Sequence, residues 1–169
     1  MNYFFLTIYY SLINKIPNSS FPGGKTLNKI RIFFVKKIIH IGVNCTFQKN
    51  IYFGNGNNVS IGDNCQINDN VRLDNVKIGD NVMVARDAVF LGKSHNYKDI
   101  NTPMNEQGLV ESRQTTVHNN SWIGIRVIIM PGIEIKSGSV ISAGSVLTKS
   151  TTKNGVYAGV PAKLIRIRK

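Results

Sequence analysis

Three side chains of this 169-residue chain carry an imidazole: His40, His95 and His118. Unperturbed, that group titrates at about 6.5, so near neutral pH it can take a proton from another group. Their surroundings separate the three. His95 stands at the root of a stretch, Asn96 to Thr116, that is polar, contains Pro103 and Gly108, and has no period. Segments of that length without structure are uncommon inside compact folds and often carry function. His40 sits beside an apolar run and reads as structural. His118 follows Val117 at a turn, where an exposed ring needs no task. Chemistry is expected at His95.

What positions His95 is a six-residue repeat. Ile41, Phe47 and Phe53 are spaced by six, as are Ile61, Ile67 and Leu73, then Ile78, Val84 and Phe90. After the aperiodic stretch come Val117, Ile123 and Ile129, then Ile135, Ile141 and Leu147. Three steps make an eighteen-residue coil. Four positions after most of these lies a small or β-branched residue, among them Cys45, Cys65, Ala88, Ser94, Ser121 and Ser145. Three positions after them lie Asn44, Asn50, Asn64, Asn70, Asn81, Gly132, Gly138 and Gly144. Asn and Gly tolerate positive φ. Each unit is therefore a short strand with an inward aliphatic, a tight turn and an inward small residue. Such units stack as a parallel β-helix. About five coils are expected, a stub roughly 24 Å tall at about 4.8 Å per coil. Two residues are inserted between Phe53 and Ile61 and one is missing between Leu73 and Ile78. Each slip should be absorbed at one corner.

The expected division is a helical extension over residues 1–40, a β-helix over 41–152 with its active-site loop at 96–116, and a basic tail over 153–169. Lys25 to Ile38 can form a helix or strand leading into the first coil, and Pro22-Gly23-Gly24-Lys25-Thr26 reads as a turn. The formal charge is +12, with clusters at Lys36-Lys37 and at Lys163, Arg166, Arg168 and Lys169. Basic residues do not interleave with aromatics along the repeat, so nucleic acid is not the expected partner. A polyanionic small molecule, an anionic membrane surface or plain solvation fits such a charge. Cys45 and Cys65 hold the same inward position of consecutive coils and should be stacked, reduced thiols, which points to the cytoplasm. Met1 to Ile13 is apolar but too short to span a bilayer, and it lacks the basic leader and cleavage site of a signal peptide. It is expected to pack as a helix on the solenoid, with contact at the inner membrane face as the sharper reading.

Ser121-Trp122-Ile123-Gly124, Pro131-Gly132, Ile141-Ser142-Ala143-Gly144-Ser145-Val146, Thr148-Lys149 and Ala158-Gly159-Val160-Pro161-Ala162-Lys163 occur in order. In these motifs the chain resembles the hexapeptide-repeat acyltransferases, from about Lys29 onward. It is most similar to the branch holding galactoside and maltose O-acetyltransferases and the O-acetyltransferases of bacterial surface polysaccharides. The resemblance implies a left-handed β-helix, a hand that parallel crossovers otherwise avoid. It also implies a homotrimer with acetyl-coenzyme A, a co-substrate, in the groove between adjacent solenoids, and no metal.

By the same resemblance His95 matches the catalytic histidine, seventeen residues after Ile78 of Ile78-Gly79-Asp80-Asn81. It would be the general base for a sugar hydroxyl that attacks the thioester directly, with no serine or cysteine nucleophile. Ile125, Ala143, Thr148 and Lys149 fall where the family touches the pantetheine arm, and Lys163 and Arg166 where basic groups meet the nucleotide phosphates. Trp122 falls beside the active site, as a cofactor or substrate wall or as a corner-packing ring. Asn68 matches an asparagine that binds sugar hydroxyls, and Asp74 lies near a second polar contact. Asp87, Asp99, Glu106 or a backbone carbonyl are candidates to orient His95. An aromatic start in place of the family's N-terminal substrate-binding helical segment, and a loop like that of capsule and O-antigen acetyltransferases, favour a glycan or lipid-linked precursor over a simple galactoside. N-acetylation of an amino sugar nucleotide and acetylation of an antibiotic would leave the same cofactor signature. A zinc enzyme like the γ-class carbonic anhydrases needs three converging histidines, and His40 lies at the opposite end from the other two. A non-enzymatic scaffold is disfavoured because His95 and the cofactor positions are intact together.

Overall fold

A computed structural model describes residues 3–169. Helices α1 (Tyr3–Ser11) and α2 (Gly24–Val35) come first, joined through a 3-10 turn at Ile13–Lys15. Coil one holds β1 (His40–Ile41) and β2 (Thr46–Phe47), and Tyr52 on its third side bridges to Arg72. Coil two is β3 (Val59–Ile61), β4 (Gln66–Ile67) and β5 (Arg72–Leu73). Coil three is β6 (Val76–Ile78), β7 (Met83–Val84) and β8 (Val89–Phe90). Coil four is β9 (Thr115–Val117), β10 (Trp122–Ile123) and β11 (Ile128–Ile129). Coil five is β12 (Glu134–Ile135), β13 (Val140–Ile141) and β14 (Val146–Leu147). The chain then runs through β15 (Gly155–Gly159) and returns antiparallel as β16 (Ala162–Ile167).

The repeat places one aliphatic per strand in a column. The first face stacks Ile41, Ile61, Ile78, Val117 and Ile135 in parallel register. The second stacks Phe47, Ile67, Val84, Ile123 and Ile141, and Tyr157 continues it. The third stacks Leu73, Phe90, Ile129 and Leu147. All are buried. The eight Asn and Gly turn positions predicted from the repeat have positive φ, from 54° at Asn44 to 74° at Gly132. Cys65 donates its backbone N–H to the Cys45 sulfur at 3.4 Å, and both thiols are buried and unbridged.

Four expectations change. The second sheet has seven strands, because β15 pairs parallel with β13 and β16 pairs with β15, so the stack exceeds about five coils and the tail expected from residue 153 is a structured hairpin. Ser94 is exposed rather than inward, since the chain has already left the coil after buried Gly92. It rejoins at Thr115, whose N–H donates to Asn75 O at 3.0 Å, two residues before the expected point. Both register slips and this loop lie at one corner, between the third face and the first: Gly54–Asn58, Asp74-Asn75 and Lys93–Gln114 are successive connections there.

The two helices close the open end of coil one. A terminal coil has backbone groups with no coil beneath them, and such an edge invites mispairing. Side chains take that place. Asn28 Oδ1 accepts from Phe47 N at 3.0 Å and Asn28 Nδ2 donates to Cys45 O at 3.2 Å. Tyr9 Oη donates to Ile51 O at 2.9 Å, and Tyr10 Oη accepts from Phe53 N at 3.0 Å. Arg31, fully buried, donates to Phe47 O, Ile16 O and Pro17 O. Burial pushes the Tyr10 phenol up to about 12, so it stays protonated and able to donate to Gly54 O.

Candidate active site

The loop that leaves the corner after Gly92 is an ordered arm. Its two limbs pair antiparallel where His95 meets Leu109, with Val110 N donating to Ser94 O at 2.8 Å and Asn96 N donating to Gly108 O at 3.0 Å. The tip is locked by Gln107, whose Nε2 donates to Asp99 O and Thr102 O at 2.7 Å each. The exposed His95 therefore stands on a braced stem rather than on a slack loop.

Asp74 belongs to this corner. Gly92 packs directly over it, and a Cβ at Gly92 would come within 2.6 Å of the Asp74 Cβ. Only glycine lets the stem cross there. Asp74 Oδ2 is held by Arg72 Nε at 2.7 Å, and Arg72 lies over the Tyr52 ring at 4.5 Å. These groups line a cleft of about 610 Å³ together with Lys93 and Ser112. On the other side of the stem, Ser94, Tyr97, Arg113 and Thr148 line a second cleft of about 330 Å³. The corner thus gathers His95, Asp74 and Thr148 from coils two, three and five. Lys149 follows Thr148 and is exposed.

The other expected positions lie elsewhere on the same chain. Asn68 occupies the next corner along coil two and spends its amide nitrogen on Val84 O at 2.9 Å. Ile125 and Ala143 stack at the corresponding corner of coils four and five. There Gly124 lacks a side chain because a Cβ would lie 2.6 Å from Ala143 N. Ile125 O accepts from Gly144 N at 2.8 Å. Trp122 points outward from β10, half exposed, and lines a cleft of about 320 Å³ with Met83, Val140, Arg166 and Arg168. Lys163 is exposed on β16 opposite Ala158. A single chain therefore does not bring the cofactor positions into one cleft.

Two of the groups considered for orienting His95 are engaged elsewhere. Asp87 accepts from Asn70 Nδ2 at 2.9 Å, and Asp99 accepts from Thr102 Oγ1 at 2.7 Å. That Thr102 contact, with Asn101 N donating to Asp99 Oδ1 at 2.9 Å, holds the Asp99 carboxyl below its usual range. His118 is tied at 2.7 Å to Glu134, which Lys136 also contacts at 2.6 Å. Lys136 and then His118 hold the Glu134 carboxyl below the usual range. Among the described residues no group of three or more His, Cys, Asp or Glu is placed to hold a metal. Arg72, Tyr52 and Arg113 were missed at the sequence level. Arg72 and Tyr52 are outward positions of strands whose repeat constrains only the inward ones, and Arg113 lies in the aperiodic stretch.

A corner loop on a stack of six-residue turns is the architecture of a hexapeptide transferase, and comparison with known proteins agrees. The family model described as bacterial transferase hexapeptide (six repeats) matches residues 58–92 and 114–149, on either side of the loop. The galactoside O-acetyltransferase of Escherichia coli K12 is 37% identical over 129 residues, 75% of this chain and 62% of that protein. WbbJ of the same organism, named as an O-acetyl transferase of lipopolysaccharide biosynthesis, is 32% identical over 123 residues, 68% of this chain and 62% of its own length. A solved galactoside acetyltransferase in complex with coenzyme A superposes with a TM-score of 0.81 at 32% identity, covering 98% of this chain and 79% of that one. The chain belongs to the hexapeptide-repeat acetyltransferases, and its solenoid is the left-handed parallel β-helix. It spans 62% of the length of the two curated relatives. The structural match takes in nearly all of the chain, so the N-terminal helices expected to set it apart are covered as well.

Proposed function

We propose that this protein transfers the acetyl group of acetyl-coenzyme A to a sugar hydroxyl of a bacterial surface polysaccharide or its lipid-linked precursor. The observation that carries the reading is the exposed imidazole of His95 on a braced stem, two residues beyond Lys93, which lines both the cleft holding Asp74 and the one holding Thr148. Acetyl-coenzyme A, when bound, supplies an activated thioester. His95 takes the proton that the hydroxyl loses as its oxygen bonds to the acyl carbon, and returns it to the sulfur as the C–S bond breaks. General base help of this kind contributes about 10²–10⁴-fold, with positioning adding to it. Asp74, fixed by Arg72, and the free amide oxygen of Asn68 can accept hydrogen bonds from other hydroxyls of the acceptor.

The residues present suit the co-substrate. At the Gly124–Ile125 and Ala143–Gly144 corner, a Cβ on Gly144 would meet nothing within 4 Å, which leaves open space beside the backbone for a pantetheine arm. Trp122 offers a flat wall beside Arg166, and Lys163 adds charge for phosphates. Since these positions lie in separate clefts of one chain, we infer a homotrimer in which neighbouring solenoids bring them together. The relative WbbJ, named for O-acetyl transfer in lipopolysaccharide biosynthesis, supports a glycan acceptor. The reading places the protein in the cytoplasm, at the inner membrane face where lipid-linked precursors are held.

The test is mass spectrometry of the host glycan with and without the gene. Loss of an acetyl group that mild alkali also removes is the expected result. An alkali-resistant acetyl would identify an amide and overturn O-transfer. An unchanged glycan would overturn the acceptor.

A further inference from the structure

We infer that the helical end of the molecule is a docking surface for an anionic phospholipid bilayer, with phenylalanine rings entering the interface and a lysine-lined cleft meeting lipid phosphates. The charge there is mostly positive, with Asp63, whose Oδ1 accepts from Val43 N at 2.8 Å, the one carboxylate beside the cleft among the described residues. No Asp or Glu precedes Asp63, whereas Lys15, Lys25, Lys29, Arg31, Lys36, Lys37 and Lys49 do. Arg31 is spent inside the cap, but Lys25, Lys29 and Lys36 line an open cleft of about 890 Å³ between α2 and coil one.

Apolar rings border that charge. Phe33 is 55% exposed on the rim of the cleft, and Phe4 is 67% exposed on α1. They belong to one patch, because edge-on ring contacts run from Phe4 to Phe5, Phe5 to Phe34 and Phe34 to Phe33, at 5.5, 5.8 and 5.5 Å. Lys37 lies 5.6 Å from the Phe33 ring centre, which holds a cation at the edge of the patch. The inward groups of both helices are already committed to capping coil one, so these rings have no partner to fill inside the chain. Scattered exposed hydrophobics are ordinary, but adjoining aromatics rimmed mainly by lysines match the requirements of an anionic lipid interface. No helix among the described residues is long and apolar enough to cross a membrane, so the contact is peripheral.

The inference goes beyond the proposed reaction and stands on charge and exposed rings, so the two can fail separately. The test is sedimentation of the full chain with phosphatidylcholine vesicles that contain or lack phosphatidylglycerol. Binding is expected only with the anionic lipid, and should weaken as salt rises. The triple variant Lys25→Gln, Lys29→Gln, Lys36→Gln should partition on the order of 100-fold more weakly. Phe4→Ser with Phe33→Ser should remove the binding that survives high salt. All five side chains are exposed, and an unchanged melting temperature checks that the variants fold. His95→Ala should sediment like the wild type. Equal sedimentation with and without phosphatidylglycerol, or a triple variant that binds like the wild type, overturns the inference. So does a phenylalanine variant that sediments normally but falls to a smaller mass in light scattering, because the patch would then join copies of this chain.

Discussion

His95 is proposed to act on the acceptor's proton and not on the cofactor. His95→Ala should therefore lower kcat by on the order of 10²–10⁴-fold while leaving the Kd for acetyl-coenzyme A nearly unchanged in calorimetric titration. Near wild-type turnover in His95→Ala would end the general-base assignment. Glu134 gives a pH signature, in stability. Its carboxyl is held below the usual range by Lys136 and His118. A depressed carboxylate stabilises the fold above its unfolded pKa of about 4.3, and that contribution disappears as pH falls through the lower folded value. Glu134→Gln should therefore melt earlier than the wild type at neutral pH, and the gap should close in strong acid. A gap that widens in acid would contradict the pairing.

At the scale of elements, the helical cap is held by single side chains that stand in for a missing coil. Arg31 serves three carbonyls at once and is buried. Burial pulls its guanidinium below the ordinary value. Arg31→Ala would leave the buried Phe47 carbonyl unpaired and take the donor from the part-buried Ile16 and Pro17 carbonyls, at a cost of about 2–3 kcal/mol in denaturant unfolding. Tyr9→Phe removes the donor to Ile51 O and should cost about 1–2 kcal/mol. Losses within 0.5 kcal/mol for Arg31→Ala would mean that water reaches this end freely. The loop stem shows the same economy in reverse: it leaves the coil at the one corner that already tolerates slips, so the inner columns continue above it undisturbed.

At the scale of the whole molecule, the proposed trimer rests on the separation of Trp122 and Arg166 from the His95 corner. Light scattering should give three times the 18.8 kDa chain mass. A single-chain mass at working concentration would leave the cofactor groove without its second wall. Lys163→Ala with Arg166→Ala should raise the KM for acetyl-coenzyme A with a smaller effect on kcat, because remote phosphates are held alike in ground and transition states. A fall in kcat with KM unchanged would place these residues nearer the chemistry.

Much of this architecture follows from sequence because a period-six column is a local rule. Each inward aliphatic sits above the one a coil earlier, so spacing alone places Ile135 over Val117 and Ile141 over Ile123. The positive φ at Asn64 or Gly138 follows from residue type. His95 was legible because the period stops beside it. Other features depended on contacts between segments distant in the chain. Arg72, Asp74 and Tyr52 meet only because coils one and two stack, and Gly92 lies over Asp74 only because the third coil leaves at that corner. The end of the stack was hidden for the same reason. Tyr157 follows Ile141 at sixteen residues rather than eighteen, so the repeat does not announce the added strand. Its pairing with β13 is decided by the bare edge that coil five presents, a partner that exists only once the solenoid has formed.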